Sequence, residues 1–165
     1  MLIRKIFFLI LLYILQTTFF SQFLFFGVSP DLLFLGLIII CLLLPNDENF
    51  FIALIIGVFL DNLTKYPFLF HTTIFLLTPV AIQYFRTTIF SNLLLLGLFY
   101  MIISTFLFYS LYFFLVNSPA TKYDFSFFYN QIYFPTLIYN IFLLFFLYFL
   151  GKLLFTQKKN IQILQ

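Results

Sequence analysis

Long apolar runs broken by short polar punctuation organise the whole chain. Six stretches stand out, at roughly 6–26, 31–45, 49–64, 68–85, 90–116 and 131–154. A membrane-crossing helix needs about 20 apolar residues at ~1.5 Å rise each, and the first, fourth, fifth and sixth runs meet that need. The second is short, opened by Asp31 and closed by Pro45-Asn46-Asp47-Glu48-Asn49, and the third lies between that turn and Asp61-Asn62. The pattern predicts about six transmembrane helices. The second and third read either as two spans in a thinned bilayer or as a hairpin that crosses incompletely; two spans is the preferred reading.

Composition turns that pattern into a class. Of 165 residues, 64% are apolar, 25% aromatic and 8% charged, with a mean hydropathy of +1.15. Soluble domains carry about 25% charged residues, so eight Lys+Arg and five Asp+Glu cannot clothe a water-facing surface of this size. A soluble enzyme, a disordered regulator and a nucleic-acid-binding module are thereby excluded. The expectation is an all-α, polytopic membrane protein, residues 1–165 forming one integral membrane domain in the lipid bilayer. No small-x-small cleavage site follows Ile6–Leu15, so the first run reads as an uncleaved anchor. The single cysteine, Cys41, sits in an apolar run and leaves the redox compartment open.

The net charge of +3 speaks to orientation. With six spans, Arg4, Lys5, Arg86, Lys152, Lys158 and Lys159 fall on one side and Lys65 and Lys122 on the other. Basic residues favour the cytoplasmic face, which puts both termini in the cytoplasm. The connection Asn117–Gln131 is then external, its aromatics reading as a belt at the membrane interface.

Polar residues are expensive inside a bilayer, so each needs a reason. Ala53, Gly57 and Asp61 recur every four residues and share one face of the third span; small residues there let a neighbouring helix come close. Asp61 ends that stripe, with Lys65 four residues on and His71 at the head of the fourth span as candidate partners. Asp31, after Pro30, opens the second span, where a helix dipole favours a carboxylate. Gln16, Thr17, Thr18, Ser21 and Gln22 lie in the outer half of the first. Helix capping and interhelical hydrogen bonding are the plain reading of this group; a carboxylate–histidine proton relay is the functional alternative. One His with two scattered Asp lacks metal-ligand spacing, so no metal is expected. No phosphate loop, zinc-protease motif or nucleophile elbow is present, and Thr72 and Thr73 beside His71 carry no weight as nucleophiles. No catalytic residue and no cofactor are expected, and the chain does not read as an enzyme.

Leu15-Gln16-Thr17-Thr18, then Gly27-Val28-Ser29-Pro30-Asp31-Leu32, then Gly57-x-x-x-Asp61 followed ten residues later by His71, together resemble the rod-shape-determining MreD family. The resemblance runs from Gln16 to Arg86, about the first half. Before His71 the chain reads Tyr66-Pro67-Phe68-Leu69-Phe70, where the family pattern would place a glycine in the turn. The resemblance implies a six-helix fold like the substrate-binding S components of energy-coupling-factor vitamin transporters. It implies a multi-pass protein of the bacterial inner (cytoplasmic) membrane, a non-enzymatic scaffold of cell-wall elongation and rod shape. Its partners would be an MreC-like single-span protein and, in the wider assembly, MreB, the RodA glycan polymerase and a penicillin-binding transpeptidase. Gln16, Pro30, Asp31, Ala53, Gly57, Asp61 and His71 are the structural or partner-binding candidates. The alternative is an S component that captures a vitamin; against it, Arg4–Phe26 contains none of the alanines, four apart, through which such proteins dock.

Overall fold

The structure, a computed structural model, describes residues 2–24, 27–63, 69–89, 91–116 and 129–156. Lys65, Lys122, Lys158, Lys159 and the aromatics of the connection after α5 up to Phe128 lie outside the described residues. Among the described residues six α-helices are seen: α1 Leu2–Leu15, α2 Leu32–Leu43, α3 Glu48–Leu63, α4 Phe70–Thr88, α5 Leu93–Val116 and α6 Phe134–Thr156. A π-helical turn, Gln16–Phe20, continues α1, and another, Tyr129–Tyr133, leads into α6. The protein is an all-α membrane protein. Leu2–Phe20, Leu93–Leu111 and Tyr129–Phe155 are each long and apolar enough to cross a membrane, and Leu32–Leu43 is a shorter apolar helix.

α2 is the centre of the molecule. It reads Leu-Leu-Phe-Leu-Gly-Leu-Ile-Ile-Ile-Cys-Leu-Leu, apolar on every side, and a helix apolar all round belongs in a core. Every residue from Leu32 to Leu42 is buried. α1 lays Lys5, Phe8, Leu9 and Leu12 against the core, a spacing of three and four that makes one stripe. α4 contributes Phe75 and Ile82, and α5 and α6 bring Leu96 and Leu144. Gly97 of α5 and Gly151 of α6 lie over Leu42 and Ile39 of α2. The opposite faces carry exposed Ile3, Phe7, Ile55, Phe142 and Phe146, as a surface that meets lipid should.

Two helix boundaries differ from the apolar runs. α1 begins at Leu2, ahead of its run, and takes Arg4 and Lys5 into its first turns. It leaves regular α geometry at Gln16 because hydroxyls compete for its carbonyls: Thr17 Oγ1 donates to Tyr13 O at 3.0 Å, Thr18 Oγ1 to Ile14 O at 2.6 Å and Ser21 Oγ to Thr17 O at 2.6 Å. α4 runs on to Thr88 and so includes Arg86, whose guanidinium finds a partner described below.

Candidate functional site

The polar side chains gather at the two ends of the bundle. At one end α3 finishes and α4 begins, and Asp61 joins them. Its Oδ1 accepts from the His71 backbone N–H at 2.7 Å, and its Oδ2 from the Thr72 N–H at 3.1 Å and the Thr72 hydroxyl at 2.6 Å. His71 Nδ1 lies 3.0 Å from Oδ1 and donates in the tautomer that carries its proton there. The Asp61 side chain is only 4% exposed.

This contact follows from what the turn lacks. The first N–H groups of any helix have no partner within it, and an Asp, Ser, Thr or Asn before the helix usually caps them. Here the preceding residue is Leu69, whose side chain accepts nothing. Asp61 of the neighbouring helix therefore supplies the cap, and its negative charge meets the positive end of the α4 dipole. Gly57, one turn earlier, makes the approach feasible. A Cβ on Gly57 would stand 2.5 Å from Thr72 Cα and 3.0 Å from its backbone nitrogen, so any side chain would push α4 away from Asp61. Ala53, another turn back, is buried without exposure. Leu69 itself adopts a left-handed backbone, φ 65°, the conformation that glycine takes at least cost. Leu69 thus keeps a glycine-type conformation at the entry to α4.

The start of α2 lies at the same end of the bundle and carries a cap of its own. Asp31 Oδ1 accepts from its own helix at Phe34 N–H, 3.1 Å, which is ordinary N-capping. The other donors are met from elsewhere: Gln16 of the π turn accepts from Leu33 N–H at 3.1 Å, and Asn140 Oδ1 of α6 accepts from Asp31 N–H at 3.2 Å. Pro30, with no N–H to satisfy, is buried just before. The His71 ring packs on Phe70 and Phe108, and Phe34 and Phe75 meet between α2 and α4 at 5.4 Å.

At the opposite end, Lys5 is fully buried and donates to Asn49 Oδ1 at 2.8 Å and to Glu48 Oε2 at 3.3 Å. Asn49 passes the link on by donating to Leu44 O at 2.8 Å, and Arg86 donates to Leu42 O at 3.3 Å. Carbonyls at the finish of α2 are thus met by α3 and α4.

Of the sequence candidates, the structure brings Gly57, Asp61 and His71 into one clamp and Gln16, Pro30 and Asp31 into a second. Thr72, Asn140, Lys5, Asn49 and Arg86 were not among them. Asn140, a lone amide deep in an apolar run, carried the signal of an intramembrane polar residue; Lys5 carried none beyond its charge. Among the described residues no group of His, Cys, Asp and Glu is placed to hold a metal ion. Chemically, every bond Asp61 accepts here comes from the first turn of α4, which suits a brace between helices. Comparison of the chain with protein-family models, with curated proteins and with solved structures finds no match.

Proposed function

We propose that this protein is a non-enzymatic scaffold of the bacterial cell-wall elongation and rod-shape machinery, akin to the MreD family. On this reading its six helices all cross the inner (cytoplasmic) membrane in an arrangement like that of vitamin-transporter S components. Both termini are cytoplasmic, so the Asp61 end faces outward and the Lys5 end inward. It binds an MreC-like protein in an assembly that also involves MreB, RodA and a penicillin-binding transpeptidase. The observation that carries the reading is the convergence of the residues behind the family resemblance: Gly57, Asp61 and His71 in one clamp, Gln16, Pro30 and Asp31 in the next, at one end of the bundle. A family motif built of helix-to-helix caps is what a scaffold needs, since its work is to hold a fixed surface.

The rival S-component reading draws less support. Among the described residues the polar cavity beside Asp31 measures about 30 Å³, whereas pockets for small organic ligands run to about 300–1,000 Å³. A larger space between α1 and α3, about 370 Å³, is lined by aliphatic and aromatic side chains without the charged or amide groups that would orient a vitamin. Affinity purification of the tagged chain from bacterial membranes in mild detergent, with mass spectrometry, tests the proposal. Co-purification of an MreC-like protein is the expected result. Recovery of ATPases with a shared membrane coupling subunit would overturn it in favour of vitamin uptake.

A further inference from the structure

The small cavity at the start of α2 lies among Asp31, Phe34, Phe75, Thr105, Tyr109 and Asn140, side chains from α2, α4, α5 and α6. Its volume, about 30 Å³, is room for one or two water molecules. Thr105 is 3% exposed, and its Oγ1 is a buried side-chain atom with no hydrogen-bond partner among the described residues. That is unusual in this molecule. Thr17, Thr73, Thr78, Thr88 and Thr136 each donate to the carbonyl four residues back in their own helix. Thr105 makes no such bond: Met101 O accepts from Ser104 Oγ at 3.1 Å, and among the described residues the Thr105 hydroxyl stays unpaired beside the cavity it lines. Two further groups there are half used among the described residues. Asp31 accepts through Oδ1 alone, and Asn140 is engaged through Oδ1 alone, which leaves a carboxylate oxygen and an amide NH₂ at the cavity.

We propose that this cavity is a hydration site, whose ordered water joins the Thr105 hydroxyl, the second carboxylate oxygen of Asp31 and the amide of Asn140. The chemistry is complementary. Water donates to the carboxylate oxygen, accepts from the amide, and takes either role toward the hydroxyl, and a buried water typically makes about three such bonds. The site ties α5 to α2 and α6, completing from a third helix the cap that Gln16 and Asn140 begin. It stands independently of the scaffold reading.

The sign of a mutational effect tests it. A buried hydroxyl with no partner destabilises, whereas one that holds a water stabilises. Thr105→Val in the full chain, melted in lipid nanodiscs, should therefore lower Tm by about 2–4 °C, and Thr105→Ser, which keeps the hydroxyl, should melt like the wild type. A density map that resolves solvent should show water about 2.7–3.2 Å from Thr105 Oγ1. An unchanged or raised Tm in Thr105→Val, or no density there, overturns the proposal. Replacing sodium by choline should leave Tm unchanged; a shift would place a small cation in the site and overturn it as well.

Discussion

At the start of α2 the unsatisfied backbone groups are N–H donors, and acceptors come to meet them: the Asp31 carboxylate and the amide oxygens of Gln16 and Asn140. At its finish they are carbonyls, and donors meet those: the Arg86 guanidinium and the Asn49 amide. Each end thus carries the sign of charge that the helix dipole favours. The ends differ in how closed they are. Asp61, which caps α4 beside the first group, has its bonds to buried His71 and Thr72. Lys5, at the other end, is wholly buried, yet its ion partner Glu48 has a side chain 41% exposed. A closed network loses everything when one member is removed, because the partners have nowhere to turn. An open one lets the bereaved group reach outward.

This contrast predicts an order of effects. Asp61→Leu strands the His71 and Thr72 N–H groups in the interior and should cost at least about 3 kcal/mol, enough to abolish a cooperative melt by far-UV circular dichroism. Asp61→Asn should cost only about 1–2 kcal/mol, because its oxygen still accepts from His71 and the Thr72 hydroxyl is able to reverse and accept from the NH₂, so that the Thr72 N–H alone loses its acceptor. Equal, wild-type behaviour of both variants would remove Asp61 as the brace.

Gly57→Ala leaves every polar group in place and attacks the approach alone. Overpacking against the Thr72 backbone should cost about 1–3 kcal/mol, read as a lower temperature at which the purified protein loses monodispersity. Lys5→Met keeps the apolar stem and leaves Asn49 Oδ1 unpaired while Glu48 is free to point outward. Its cost should be about 1–2 kcal/mol; a loss as large as that of Asp61→Leu in the same melt would erase the distinction between the ends. Leu69→Gly should raise stability by up to about 1 kcal/mol, since it relieves a left-handed leucine at some entropic cost. Chemical denaturation followed by tyrosine fluorescence would register the gain.

How much of this was legible in the sequence depended on whether a residue contrasts with its surroundings. Asp31, Asp61 and His71 stand out in apolar runs, and a spacing of four put Ala53, Gly57 and Asp61 on one face without any knowledge of the partner. The π turn at Gln16 was not legible, because hydroxyls that bend a helix by bonding backward look the same in sequence as those that do not. Thr72 was not legible as a partner of Asp61, because its place beside His71 in sequence does not tell which neighbouring helix its hydroxyl meets. Lys5 resembled a marker of orientation, since nothing local tells a buried lysine from an exposed one; its partners lie 43 and 44 residues away. The six apolar runs predict six spans; among the described residues six α-helices are seen, and three stretches satisfy length and hydropathy for a span. α2 fell short because it is a core helix, bounded by caps rather than by the bilayer's thickness.

The partnership of Asp31 with Asn140, separated by 109 residues, also sets a clock on biogenesis. At ribosomal speeds of about 5–20 residues per second, α2 waits roughly 5–20 s in the translocon's neighbourhood before the side chain that meets its first N–H has even been made. During that interval α2, apolar on every side, is present without its full collar. A nascent chain that ends before α6 lacks the Asn140 acceptor for the Asp31 N–H.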